Sequence, residues 1–345
     1  MNRRTLLLIV GLVLLLAVGG GMFALMRIPS NPGRSRVRLR LQWVPQSQFA
    51  GFIVAHEKGF YKDIGLDVQI LPAGPDLKPQ VTVAAGTDDI GIGVPNQVIA
   101  ARSHDVPLIA IAQIFQDSAN RYILKSKNKI SSLKDLRDKP VGLWLGGDEA
   151  EFIAMLKKEG MKLSDVKVIP QEFSVIPFLQ DKYTLSQVTV YNELPLIRSK
   201  GFAGDKLQIL SPRDYQSAIP GDVLFTTESY IKDNPKIVES FLTASIRGWK
   251  YCLEHPDEAL DLILAYNKEL VREEQESQLA AVLQLLTAGA VGKEGIGFLS
   301  TEDYSIAERV LFESGQISKR VAVNSIIDES AWNRVPTEYK QVKQN

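Results

Sequence analysis

Cysteine is nearly absent from the chain, and the single Cys252 rules out an intramolecular disulfide and a cysteine zinc site. Histidine is almost as scarce. His56, His104 and His255 lie far apart, and none has a second ligand at metal-binding spacing. There is no Gly-x-Ser-x-Gly nucleophile elbow and no Gly-x-x-x-x-Gly-Lys-Ser/Thr phosphate loop. Gly91-Ile92-Gly93 lacks the third glycine of a dinucleotide loop and reads as a tightly packed strand. The acidic pairs Asp88-Asp89 and Glu273-Glu274 read as solvated loop and helix surface. A basic surplus is missing too, since 40 Lys and Arg stand against 40 Asp and Glu. Arg3, Arg4 and Arg27 belong to a leader without acids, so the rest of the chain is mildly acidic and has no reason to bind nucleic acid.

What is present begins with an uncharged run, 5–26, that is rich in Leu, Val, Ile and Gly and follows Arg3-Arg4. At about 1.5 Å per residue it can cross the ~30 Å hydrocarbon layer, and the positive-inside rule then delivers everything after Met26 outside. Residues 1–28 are either a membrane anchor or a cleaved signal peptide, and both readings export the remainder to the periplasm or cell exterior. No cysteine follows the run to carry a lipid. Residues 29–36, with Pro29, Pro32 and Gly33, read as a tether.

With 345 residues, 45% of them apolar, the chain has room for two domains of ordinary size. From 37 onward, short strands at 37–41, 66–71, 89–94 and 108–114 alternate with helical stretches, which predicts a largely parallel sheet. A second unit repeats the style at 122–125, 141–145, 166–169 and 188–191, and 223–227 is a further strand. Beyond it the chain reads as mostly helical. The expectation is an α/β protein of two αβ lobes with a cleft, a helical C-terminal part and two hinge crossings. The first lobe is 37–120 plus 222–340, and the second is 121–221. Ligands of such sheets bind beyond strand C-terminal ends. Three residue sets sit there: Trp43 with Gln46, Gln48 and Phe49; Gln113 with Gln116; and Tyr191 with Asn192 and Glu193. Indole faces and amide edges suit a flat ligand with a polar rim.

The segment Leu41-Gln42-Trp43-Val44-Pro45-Gln46-Ser47-Gln48-Phe49-Ala50-Gly51-Phe52 carries a resemblance. So do Ala55-His56-Glu57-Lys58-Gly59-Phe60-Tyr61 and Gly65-Leu66-Asp67-Val68. Together they resemble the ABC-importer solute-binding family that handles thiamine-pyrimidine precursors, riboflavin, sulfonates and nitrate. The resemblance runs over roughly 37–270. It implies a periplasmic-binding-protein fold that closes on a small heteroaromatic ligand and presents it to permease and ATPase subunits, with no cofactor and no reaction. Trp43 or Phe49 would stack on the ring, Gln46 and Gln48 would meet its edge, and Asn96 would join from the first lobe. Gln116, Tyr191, Asn192 and Glu193 would close from the hinge and second lobe, with Glu193 on an exocyclic amine. Asp214, Tyr215 and Asp222 form a secondary set.

Within the family, the acidic helix start at 145–152 argues against sulfonate, taurine or nitrate, because anions want a free helix N-terminus. Two other readings differ in class. One is a membrane-anchored ligand sensor. The other is a pyrimidine synthase of the same fold, which resembles the family but carries a cysteine-rich iron motif that this chain lacks.

Overall fold

The protein, seen in a computed structural model, is described over residues 33–342. The 5–26 segment lies outside those residues, and no helix among them is long and apolar enough to cross a membrane.

Two five-stranded sheets form the frame. The first, in the order β2-β1-β3-β10-β4, uses β1 (Ser35–Arg40), β2 (Leu66–Leu71), β3 (Ile90–Gly93), β4 (Leu108–Gln113) and β10 (Val223–Thr227). The second, in the order β7-β6-β8-β5-β9, uses β5 (Asn120–Lys125), β6 (Pro140–Leu143), β7 (Lys167–Pro170), β8 (Leu185–Thr189) and β9 (Leu207–Leu210). β1 starts inside the stretch read as a tether. In the edge strand β2, buried Leu66, Val68 and Ile70 alternate with half-buried Asp67, Gln69 and Leu71, whereas the central β3 and the opposite edge strand β4 are buried throughout. That contrast is the one between a strand with one face partly open and strands covered on both faces, β4 being bridged along its length to Gly297 and Ile327.

The sheets are mixed, which corrects the expectation of a largely parallel one. β10 runs antiparallel to both β3 and β4, and β5 runs antiparallel to both β8 and β9. The reason is the double crossing: a chain that leaves one sheet and returns from the other lobe enters it from the opposite end.

The crossing segments pair directly. Gly221 N–H donates to the Phe115 and Asp117 carbonyls, and Ile114 and Phe115 N–H groups donate to the Asp222 carbonyl. The Gln113 amide nitrogen lies 3.0 Å from each of the Phe115, Gly221 and Asp222 carbonyl oxygens, and its own carbonyl accepts from Tyr304.

The C-terminal helices Pro235–Glu254, Pro256–Tyr266, Arg272–Leu286 and Thr301–Ser314 complete the first lobe. Pro235 and Pro256 each stand in the first turn, where no N–H is needed. The Pro235–Glu254 helix crosses Ala50–Glu57 at Gly248 and Gly51, so closely that Trp249 lies over Gly51 and meets Phe52 edge-on at 5.6 Å. This crossing sets the position of the turn Ser47–Phe49, which leads directly into the Ala50–Glu57 helix.

Candidate ligand cleft

Between the lobes lies a cleft of about 350 Å³, and its walls come from the segments that follow β1, β2, β3, β6, β7 and β8 and that precede β5 and β10. The lobes touch across it. Asn96 Nδ2 donates to the Gly147 carbonyl at 3.1 Å, and the Trp43 ring lies 4.9 Å from that of Phe173. Trp144 stacks nearly parallel to Phe173 at 6.2 Å, so one first-lobe and two second-lobe aromatic rings share the mouth.

Of the sequence-derived candidates, Trp43, Gln46, Gln48, Asn96, Tyr191, Asn192, Glu193 and Asp222 line the cleft. Phe49 does not, because its turn directs the ring into the core beneath, where it is fully buried. Gln116 is engaged at the hinge instead. Its amide donates to the Gln113 and Phe298 carbonyls, which leaves no N–H for a ligand. Asp214 and Tyr215 belong to the turn Pro212–Tyr215 in the second lobe, outside the cleft lining, with Tyr215 packed on that lobe's core.

The floor is a hydrogen-bond chain that ends on a carboxylate. Asp222 accepts from Gln42 Nε2 at 2.8 Å on one oxygen and from Gln48 Nε2 at 2.9 Å on the other, and Gln46 Nε2 donates to Gln48 Oε1 at 3.0 Å. Burial pushes Asp222 up to about 7, against the two amide donors. Burial also raises the Tyr191 hydroxyl well above its usual value, with Asp222 and Glu193 adding to the effect.

Glu151 lies in the first turn of the helix Ala150–Lys158 and reaches both crossing segments. Its carboxylate accepts from Ile219 N at 2.6 Å, Asn120 Nδ2 at 2.8 Å and Ser118 Oγ at 3.1 Å. Burial pushes it up to about 7 in spite of these donors. Asp148 keeps contact with cleft solvent yet is ringed by protein, which with neighbouring Glu149 pushes it up to about 6 while Lys78 opposes. Glu193 is held in place by Thr189 N, Thr189 Oγ1 and Asn192 Nδ2.

Among the described residues Lys78 is the only cation lining the cleft, against Asp148, Glu151, Glu193 and Asp222. The N-terminus of the Ala150–Lys158 helix carries Glu149 at its N-cap and Glu151 in its first turn, and these protein carboxylates make it a poor place for an anion. Three buried lining atoms have no partner among the described residues: Asn96 Oδ1, Gln97 Oε1 and Trp144 Nε1. Buried polar atoms are nearly always paired, so these three are open to a hydrogen bond with a ligand or with water.

Sequence reasoning missed Trp144, Phe173, Gln42 and the part that Glu151 plays. Trp144 follows β6 and was within reach of the strand-end rule. Phe173 lies in a loop that carries no such signal.

The same fold occurs in the aliphatic sulphonate binding protein SsuA of Escherichia coli, at a TM-score of 0.65 and 15% identity over 91% of this chain and 95% of that one. Over sequence, the chain is 26% identical to the formylaminopyrimidine-binding protein of Halalkalibacterium halodurans, covering 72% of this chain and 77% of the relative. It is 25% identical to the riboflavin-binding protein RibY of Chloroflexus aurantiacus over 85% of each. A 4-amino-5-hydroxymethyl-2-methylpyrimidine phosphate synthase of Legionella pneumophila is also 25% identical, over 69% of this chain and 75% of that protein. The NMT1/THI5-like family profile matches residues 46–259, which takes in the Gln46–Gln48 floor, both crossings and the Tyr191–Glu193 wall. With most of the cleft inside that match, the chain belongs to the NMT1/THI5-like family.

Proposed function

We propose that the protein is the extracytoplasmic solute-binding component of an ABC importer and that its cleft takes a flat, amine-bearing heteroaromatic of the pyrimidine kind. The observation that carries this reading is the lining: three aromatic rings at the mouth above four carboxylates and one lysine. Aromatic faces recognise a ring, and acceptor-rich walls recognise N–H donors. The relatives that bind formylaminopyrimidine and riboflavin support the same ligand class. Sulfonates fit poorly, because the anion would meet the lining carboxylates, Glu151 of the first turn of the Ala150–Lys158 helix among them.

The synthase relatives raise an enzyme reading, against which stands the absence from this sequence of the cysteine-rich iron motif that the resemblance implies for such a synthase. Cys252, the one thiol, is fully buried in the Pro235–Glu254 helix, and burial raises its pKa, so it is inert.

Calorimetry with 4-aminopyrimidines, riboflavin and alkanesulfonates tests the assignment. Aminopyrimidine binding is expected. Trp43→Ala should weaken it roughly 5- to 150-fold, the range that about 1–3 kcal/mol of ring stacking gives. Binding of alkanesulfonates alone, or a Trp43→Ala protein with unchanged affinity, would reject the reading.

A further inference from the structure

We infer that Asp222 is a positioning residue that sets the hydrogen-bond polarity of the cleft floor, turning the Gln42 and Gln46 amide oxygens to the ligand so that the floor selects ring edges bearing N–H over isosteric edges bearing carbonyl. The inference rests on the heteroaromatic reading above and deepens it. An ionised carboxylate can only accept. Gln42 and Gln48 both approach it within 2.9 Å, so each must turn its NH₂ group toward it. The orientation then propagates. Gln48 presents Oε1 to Gln46, which must also turn its NH₂ inward. The Oε1 atoms of Gln42 and Gln46 are left without a protein donor among the described residues, and both side chains line the cleft.

A second observation, independent of this chain, points the same way. Asn96 donates its NH₂ to the Gly147 carbonyl, which leaves Oδ1 buried and unpartnered. Gln97 Oε1 is likewise unpartnered, and it lies over Gly93, where a Cβ would come within 2.4 Å of it. The first lobe thus places the amide oxygens of Gln42, Gln46 and Asn96 at the cleft without a protein donor among the described residues, whereas Gln97 Oε1 packs against Gly93. Trp144 Nε1, on the second lobe, is the buried lining donor without a partner. The complementary ligand carries several N–H donors along one edge and one acceptor on the opposite edge.

Asp222 lies 174 and 180 residues from the two glutamines that it orients. Its backbone carbonyl also takes the Ile114 and Phe115 N–H groups, so the hinge holds the carboxylate in place.

The test is calorimetry on the full chain at pH 8, where the carboxylate is ionised, with 4-amino-2-methylpyrimidine and its 4-oxo isostere. Wild type is expected to bind the amino ring at least tenfold more tightly. In Asp222→Asn the acceptor-only group is gone, one glutamine can turn over, and the amino-to-oxo ratio should fall at least tenfold. Gln42→Met, which leaves the hinge untouched, should lower the same ratio at least fivefold and serves if Asp222→Asn does not fold. A merely structural role for Asp222 would weaken both rings alike and leave the ratio unchanged, which would overturn the inference while the heteroaromatic reading stands. A wild-type preference for the oxo ring would overturn it as well. Binding of an alkanesulfonate with neither ring nor riboflavin bound would overturn both.

Discussion

Gly248→Ala is expected to destabilise the protein by at least about 3 kcal/mol, the upper end of what overpacking a core costs. A Cβ at this position would stand 2.0 Å from the Gly51 carbonyl oxygen and 2.9 Å from the Ala55 Cβ. The obstruction is backbone, which cannot rotate aside as a side chain can. The Pro235–Glu254 and Ala50–Glu57 helices would have to separate, loosening the packing of Trp249 and Phe52 at the centre of the first lobe. Helix propensity works the other way, since alanine is favoured over glycine by about 1 kcal/mol in a helix interior. The sign of the measured change therefore decides whether the crossing is tight. Gly74→Ala is the control, because its Cβ would meet nothing within 4 Å and its φ is not positive. Urea denaturation should leave Gly74→Ala near wild type and move the Gly248→Ala midpoint down sharply; a stabilised Gly248→Ala protein would contradict the packing. The Ala50–Glu57 helix follows directly on the turn that carries Gln48, so a shift large enough to admit the methyl also disturbs the cleft floor.

The parts of the molecule that depend on local pattern were legible in the sequence. Strand-end position found Trp43, Gln46, Gln48 and Tyr191 to Glu193, because the ends of parallel strands open onto the cleft whatever the details of packing. The long helices were visible in Asn234-Pro235 and His255-Pro256, which mark their starts. Gln116 shows where the rule fails. It has the residue type and the strand-end place of a ligand donor, but the hinge carbonyls of Gln113 and Phe298 take its N–H groups. Phe49 fails for a similar reason, since two residues of turn separate a cleft-facing Gln46 from a core-facing ring. The antiparallel entry of β10 and the facing of Trp43 by Phe173 depend on how one lobe is set on the other, and no local periodicity encodes that. β9 went unread because Leu207–Leu210 is a short edge strand with no buried residue, so it carries no alternation of buried and exposed side chains.

The ligand-free protein should lose stability as pH rises from 5.5 to 8, and the buried carboxylates of the cleft set both the sign and the window. Glu151 and Asp222 each rise to about 7 in the fold, from an ordinary value near 4, because burial penalises their charged forms. Between those limits the native state binds more protons than the unfolded chain, so stability falls with rising pH and levels off above about 7. For one group raised by about three units the full fall is ~4 kcal/mol. The exposed pairs Asp105 with Lys319, Asp181 with Lys127, and Glu258 with Lys58 act in the opposite sense, because the cations hold those acids below their ordinary values; their contribution is lost only in stronger acid. Melting should therefore occur roughly 5–10 °C higher at pH 5.5 than at pH 8. Glu151→Gln and Asp222→Asn should each flatten the slope. Glutamine can keep Oε1 on the Ile219 N–H while its NH₂ faces the Ser118 hydroxyl and a turned Asn120 amide, so the hinge survives while the titration disappears. A melting temperature that is flat or rises over this range would exclude ionisation of these groups inside a closed cleft. The same electrostatics couples closure to the ligand. Above pH 7 the empty closed cleft confines unneutralised charge, and opening the lobes hydrates it. An amine-bearing ring supplies N–H donors to the ionised carboxylates, so its stabilising effect on melting should be larger at pH 8 than at pH 5.5, whereas a ring without N–H donors that only stacks on Trp43 should stabilise equally at both.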